Sequence, residues 1–300
     1  MPEKSNTLNI TLMCIACGLT ILGTTITLIL IRWLKVKTKF SSYINMLLCS
    51  DLVFAIMTIW SRTAKVNEDS QVYCSVLSFF VEFASIMSFY WTLSFAINTY
   101  LVVNLFKKDV EQYFTRHLII AITISFIISV IPTASKVYGM SKYGGCGVNI
   151  KLNMQRSALV TLAIQYFPLL ICLVLIFIFY GLVFRKLYQI ARAEHVQISH
   201  LKGVLIQFLP YPLILAICGI PGMIGLIIEV SSERSIRPLL LASGFLYRIM
   251  GLFNAIVYGL HHETKRKLRE KCVERPKKAL TMIDSSELER TLTKEAYLDY

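Results

Sequence analysis

Charged residues are scarce in this sequence: 16% of its 300 residues are Asp, Glu, Lys or Arg, where soluble domains carry about 25%. The apolar share is 55% and the mean hydropathy is +0.60, so most soluble folds are excluded. Aromatic residues, at 12%, are too frequent for a disordered chain. Acids are the rarer sign, 18 against 31 bases, which leaves a net charge of +13. In a soluble protein that excess would suggest nucleic acid. In a membrane protein it reports the loops held in the cytosol, and no nucleic-acid partner is implied.

The gaps between charges mark the membrane spans. Uncharged runs separate Lys4 from Arg32, Arg116 from Lys136, Arg156 from Arg185 and Lys202 from Glu229. Three further runs contain one charge each: Asp51 between Lys39 and Arg62, Glu82 between Asp69 and Lys107, and Arg248 between Arg237 and Glu263. A helix needs about 20 apolar residues to cross the hydrocarbon layer. Seven segments meet that length, at about 8–32, 40–61, 73–106, 117–135, 157–184, 203–228 and 238–260. The expected fold is therefore an all-α membrane protein, a bundle of seven transmembrane helices within residues 8–260. Residues 1–7 form an extracellular N-terminus, 261–275 a short juxtamembrane amphipathic helix 8, and 276–300 a cytosolic tail.

Orientation follows from Lys and Arg. With the N-terminus outside and the C-terminus inside, nineteen bases up to residue 278 face the cytosol and nine face outward, as the positive-inside rule favours. Of eight cysteines, Cys14, Cys17, Cys49, Cys172, Cys218 and Cys272 fall in spans or the cytosolic tail. Cys74 and Cys146 alone lie on the oxidising side, and they are the expected disulfide.

Other absences remove whole function classes. His117, His195, His200, His261 and His262 all fall at or beyond the inner boundary, so a zinc hydrolase has no ligands within the bundle. No H-E-x-x-H spacing occurs, and the chain reads as a non-enzyme with no cofactor and no metal centre. The last span has no Lys to form a retinal Schiff base. The two halves show no repeat of the kind that builds many transporters.

What remains has recognisable segments. Span 2 carries Asn45-Met-Leu-Leu-Cys-Ser-Asp51, and span 3 carries Phe89-Tyr-Trp91-Thr-Leu-Ser-Phe-Ala-Ile-Asn98. Span 6 opens on Pro210-Tyr-Pro212, and span 7 ends Gly251-Leu-Phe-Asn254-Ala-Ile-Val-Tyr258-Gly. With the external cysteine pair, these segments resemble the cyclic-AMP-receptor-like (class E, slime-mould and plant type) G-protein-coupled receptors over roughly residues 40–270. No Asp-Arg-Tyr stands at the inner end of span 3, and span 4 has no Trp.

The resemblance implies a plasma-membrane receptor that binds an extracellular ligand among helices 3, 5, 6 and 7 and activates a heterotrimeric G protein. It also implies a polar activation core around Asp51 with Asn45, Asn98, Asn254 and Tyr258, able to hold a sodium ion. A protonated acid that only joins helices is the simpler reading of Asp51. Ser94 is a further candidate partner for it. Pro168, Pro210 and Pro212 are expected to kink the helices that swing in such receptors.

Glu82 and Arg248 lie about 12 and 16 Å below the outer boundary, from the helical rise. They form either a structural ion pair or, with Tyr90, a contact for a small anionic ligand whose carboxylate or phosphate Arg248 would bind. The basic loop Ser135–Arg156 would attract such a ligand. The alternative function is a transporter or channel with a polar pathway through Asp51, Glu82 and Arg248. Helix 8 is expected to rest on anionic lipids of the inner leaflet. Cys272 is the palmitoylation candidate, and Ser285, Ser286, Thr291 and Thr293 are the phosphorylation candidates.

Overall fold

A computed structural model describes residues 2–35, 40–63, 71–107, 109–140, 145–148, 154–193, 209–232, 237–259 and 262–271. Seven of its helices are long and apolar enough to cross a membrane. They are α1 (Pro2–Leu34), α2 (Ser41–Thr63), α3 (Gln71–Asn104), α4 (Phe114–Ala134), α5, α6 (Pro210–Ser232) and α7 (Arg237–Gly259). The fifth, α5, runs from Met154–Thr161 through a π turn at Leu162–Tyr166 into Phe167–Ala193. A short helix, α8 (His262–Arg269), follows. Helices are what hydrocarbon demands, because each satisfies its own backbone.

Helix α1 already begins at Pro2, so the N-terminal segment is itself helical. The fourth span reaches further inward than residue 117. A 3-10 turn, Glu111–Tyr113, leads directly into α4, so His117 is buried in that helix rather than at its boundary.

The bundle is organised around α3. Every residue from Ala84 to Ala96 is buried, the mark of a helix enclosed on all sides. It packs against α2, α4 and α5, while α1 and α6 close on α7. The outward faces of α4 and α5 carry exposed Ile119, Phe126, Ile127, Phe177 and Ile178, the surface that hydrocarbon solvates.

One side of the bundle is capped by a two-stranded hairpin, β1 (Tyr138–Met140) and β2 (Cys146–Val148), antiparallel with Met140 opposite Cys146. The Cys74–Cys146 disulfide ties it to the first turn of α3, on the face where the N-terminus lies. Gly145 holds the hairpin against the end of α2. It has a φ of 68°, and a Cβ there would lie 2.5 Å from the Ser61 carbonyl oxygen.

Candidate functional site

Two polar clusters interrupt the apolar interior. The deeper is centred on Asp51, which is 2% exposed. Ser88 Oγ donates to Asp51 Oδ1 at 2.6 Å, and Asn254 Nδ2 donates to Oδ2 at 2.8 Å. One carboxylate thereby links α2, α3 and α7. Close helix approach permits it: a Cβ on Gly251 would stand 2.8 Å from Asp51 Cβ and 2.6 Å from Thr20 Cγ2. Thr20 Oγ1 in turn donates to the Arg248 carbonyl at 2.7 Å. Buried Thr20, Thr24 and Thr27 form the α1 face turned to α7.

The other expected members of this core lie apart from Asp51. Asn45 lines a groove between α1 and α2. Asn98 is fully buried, with neither amide atom hydrogen-bonded. Tyr258 is fully buried near the inner end of α7. Ser94 donates to the Tyr90 carbonyl at 2.9 Å and lies 3.2 Å from His117 Nδ1. Tyr90 Oη lies 3.1 Å from that same nitrogen, so Tyr90 serves the α3–α4 contact. Around it, Trp91 stacks on Phe114, and Tyr43 meets both edge-on. Sequence reasoning missed Ser88 and His117. The signal for Ser88 was present as Ser85, Ser88 and Thr92, one polar stripe on an apolar helix.

The shallower cluster lies below the hairpin. Glu82 is 8% exposed, and its Oε1 has no hydrogen-bond partner. Tyr138 of β1 is 4% exposed with an unpartnered hydroxyl. Burial and the neighbouring Glu82 carboxylate both raise the Tyr138 hydroxyl far above the ordinary phenol value, so it stays protonated and able to donate. Tyr247 of α7 hydrogen-bonds Ser85 of α3 through its hydroxyl and packs edge-on against Phe54 and Phe89. Tyr166 of α5 is within electrostatic reach of both Glu82 and Arg248.

Among the described residues, no ion pair joins Glu82 and Arg248, one of the two arrangements left open by the sequence. Arg248 Nη1 donates to Gly244 O in its own helix at 2.7 Å, and Nε has no partner. A Cβ on Gly244 would lie 3.3 Å from that Nη1 and 3.4 Å from Met13 Cε, which puts the guanidinium on the side of α7 that faces α1. Successive helical residues diverge by about 100°. Tyr247 therefore takes the α3 side, and Arg248 turns away from it.

Helix α5 owes its shape to Pro168. Proline has no N–H for the carbonyl one turn back, and the chain answers with the π turn, in which Phe167 N donates to Leu162 O. Tyr166, at the end of that turn, brings its hydroxyl against Gly222 of α6, where any Cβ would collide with it. Pro210 and Pro212 occupy the first turn of α6 as described, where missing donors cost little. Pro132 and Pro221 are the interior prolines of α4 and α6.

The geometry is that of a membrane bundle with a capped outer cluster and a separate buried lock. The sequence model of the slime mold cyclic AMP receptor family matches residues 1–260. The chain belongs to that family. No curated protein matches the chain. The slime mold cyclic AMP receptor match takes in α1, which the motif resemblance had left out, and it stops where α7 does. As a member of that family, the protein is a multi-pass membrane receptor.

Ser88 Oγ and Asn254 Nδ2 each bond one oxygen of Asp51, and each oxygen keeps a second lone pair, so Asp51 with the Ser88 hydroxyl would be the groups to hold a sodium ion. Among the described residues, no three His, Cys, Asp or Glu side chains cluster as metal ligands. Cys272, Ser285, Ser286, Thr291 and Thr293 lie outside the described residues.

Proposed function

We propose that this receptor resides in the plasma membrane and converts binding of an extracellular ligand into activation of a heterotrimeric G protein. The observation that carries this reading is Glu82, a buried acid with a free carboxylate oxygen beneath a disulfide-pinned hairpin. A buried acceptor without a donor costs about 1–3 kcal/mol, and a ligand that brings a donor recovers it. The ligand enters among α3, α5, α6 and α7. It meets Tyr138, Tyr166 and Tyr247, and offers a hydroxyl or amino group to Glu82. Its anionic group falls to Arg248, which exchanges its Gly244 contact for the stronger charge-assisted one.

The family description adds cyclic AMP as the first ligand to try. Its single phosphate charge suits Arg248, and its hydroxyl and amino groups suit Glu82. Binding shifts the population toward a packing open to the cytosol. Asp51 with its two donors is the joint that rearranges, and Asn45, Asn98 and Tyr258 pack along the inner halves of the helices concerned. The inner ends of α3, α5 and α6 receive the G protein. Cys272 acylation and phosphorylation at Ser285, Ser286, Thr291 and Thr293 modulate the tail. A transporter or channel reading has less support, because the family that the chain belongs to is a receptor family.

The test is agonist-dependent nucleotide exchange on a G protein in a reconstituted membrane, with cyclic AMP and a panel of small anions. Surface expression is scored separately for Glu82→Gln and Arg248→Met. At normal expression, both variants are expected to shift the dose–response at least about tenfold, the loss of one charged hydrogen bond. Unchanged curves would remove these residues from the ligand site. Ion or substrate flux without any G-protein response would overturn the receptor mechanism.

A further inference from the structure

We propose that the groove between α1 and α2 is a binding site for an anionic phospholipid of the inner leaflet, with its phosphate on Arg32 and one acyl chain in the groove. The groove holds about 260 Å³ and is lined by Thr25, Leu28, Ile29 and Arg32 from α1 and by Asn45, Cys49 and Leu52 from α2. The α1 residues follow an i, i+3, i+4, i+7 pattern and the α2 residues an i, i+4, i+7 pattern. Each helix thus presents one face to the same cleft.

The cleft is graded along its length. Arg32 and Asn45 stand at the inner end, two residues before the end of α1 and four after the start of α2. Leu28, Ile29 and Leu52 continue toward the bilayer centre for roughly 10 Å, seven residues of helical rise. An acyl chain matches the apolar stretch.

Charge selects the headgroup. Among the described residues, the Arg32 guanidinium has no ion pair and no hydrogen bond, and it is exposed. Two nearby cations are engaged elsewhere: Lys267 Nζ donates to Lys35 O at 2.7 Å, and Lys271 Nζ donates to Trp33 O. Glu111, an acid at this end of α2, accepts from Ser42 N at 3.4 Å and does not pair with Arg32. A planar guanidinium with open donors at the membrane–water boundary suits a phosphate held in two-point contact. The Asn45 amide stands across the cleft to donate to the ester region. This assignment needs the inner leaflet at the C-terminal end of α1, and it is independent of which ligand occupies the outer cluster.

The experiment is native mass spectrometry of the purified full chain, exchanged into equal amounts of phosphatidylserine and phosphatidylcholine of identical acyl composition. Wild-type protein is expected to retain phosphatidylserine over phosphatidylcholine by about fivefold, the factor one cation supplies at an anionic surface. Arg32→Gln is expected to abolish the preference, Leu52→Trp to reduce retention of both lipids, and Lys267→Gln with Lys271→Gln to leave the preference intact. Four results would each overturn the site: no preference in the wild type, a preference that survives Arg32→Gln, a loss seen only in the lysine variants, or full competition by water-soluble glycerophosphoserine. A wild type without any preference overturns the site even where a variant does not fold.

Discussion

Asp51 takes hydrogen bonds from two other helices, and each donor can be removed singly. Asn254→Ala leaves Oδ2 without its donor in a site closed to water, at a cost of about 1–3 kcal/mol. A fall of several degrees in the unfolding midpoint of the purified receptor is expected, and Ser88→Ala should behave alike. The paired substitution should cost less than the two single changes together, because both act on one carboxylate. Gly251→Ala tests the same joint through packing, since the new methyl would press on Asp51 Cβ and Thr20 Cγ2. Overpacking of that kind costs about 1–3 kcal/mol. Thr20→Ser, which removes the crowding Cγ2, should recover part of it in the same thermal measurement. An intramembrane acid marks itself in the sequence, and a short list of donors can be written. Which of Ser88, Ser94, Asn98 and Asn254 reaches it depends on helix rotation, which sequence leaves open.

Among the elements, α5 has the least regular backbone and faces the most direct test. Pro168→Ala restores the missing N–H and lets a regular α-helix replace the π turn. The loss of one residue from the turn rotates everything outward of it by about 100°, which takes Tyr166 off Gly222. The expected result is a receptor that reaches the surface normally and responds weakly, read as G-protein nucleotide exchange. Gly222→Ala approaches the contact from the other side. Its methyl collides with the Tyr166 hydroxyl, so stability should fall, and Tyr166→Phe in the same chain should restore part of it. Proline positions were legible in the sequence, but their effects were not. Pro168 acts through the turn before it, whereas Pro210 and Pro212 fall in a first turn that tolerates them.

For the whole molecule, the hairpin and its disulfide govern access to the outer cluster. The bond spans 72 residues, and chain entropy alone gives about 4 kcal/mol for such a loop. The membrane already confines both ends, so this is an upper bound. Cys146→Ser should lower both the unfolding midpoint and ligand affinity, with the larger relative effect on affinity, because Tyr138 stands four residues past the α4 end and loses its restraint above Glu82. The seven spans, the topology and this bond follow from scarce charge and two outward cysteines, which are long-range constraints visible in one dimension. The Glu82–Arg248 pairing did not follow, since equal depth on two helices says nothing about azimuth. A difference of one residue turns a side chain from α3 to α1.

The two lysines that reach back from α8 have a practical consequence for how the chain can be cut or tagged. Lys267 and Lys271 meet the final carbonyls of α1, and Lys271 also lies 4.4 Å from the centre of the Trp33 ring. The last described helix thus closes the exposed end of the first. A fluorescent fusion placed after Lys271 leaves this clasp whole, whereas one ending at Gly259 strips α1 of its terminal partners. The shorter fusion should show faster amide exchange in the last turn of α1, around Trp33 and Leu34, while the rest of the bundle exchanges as before.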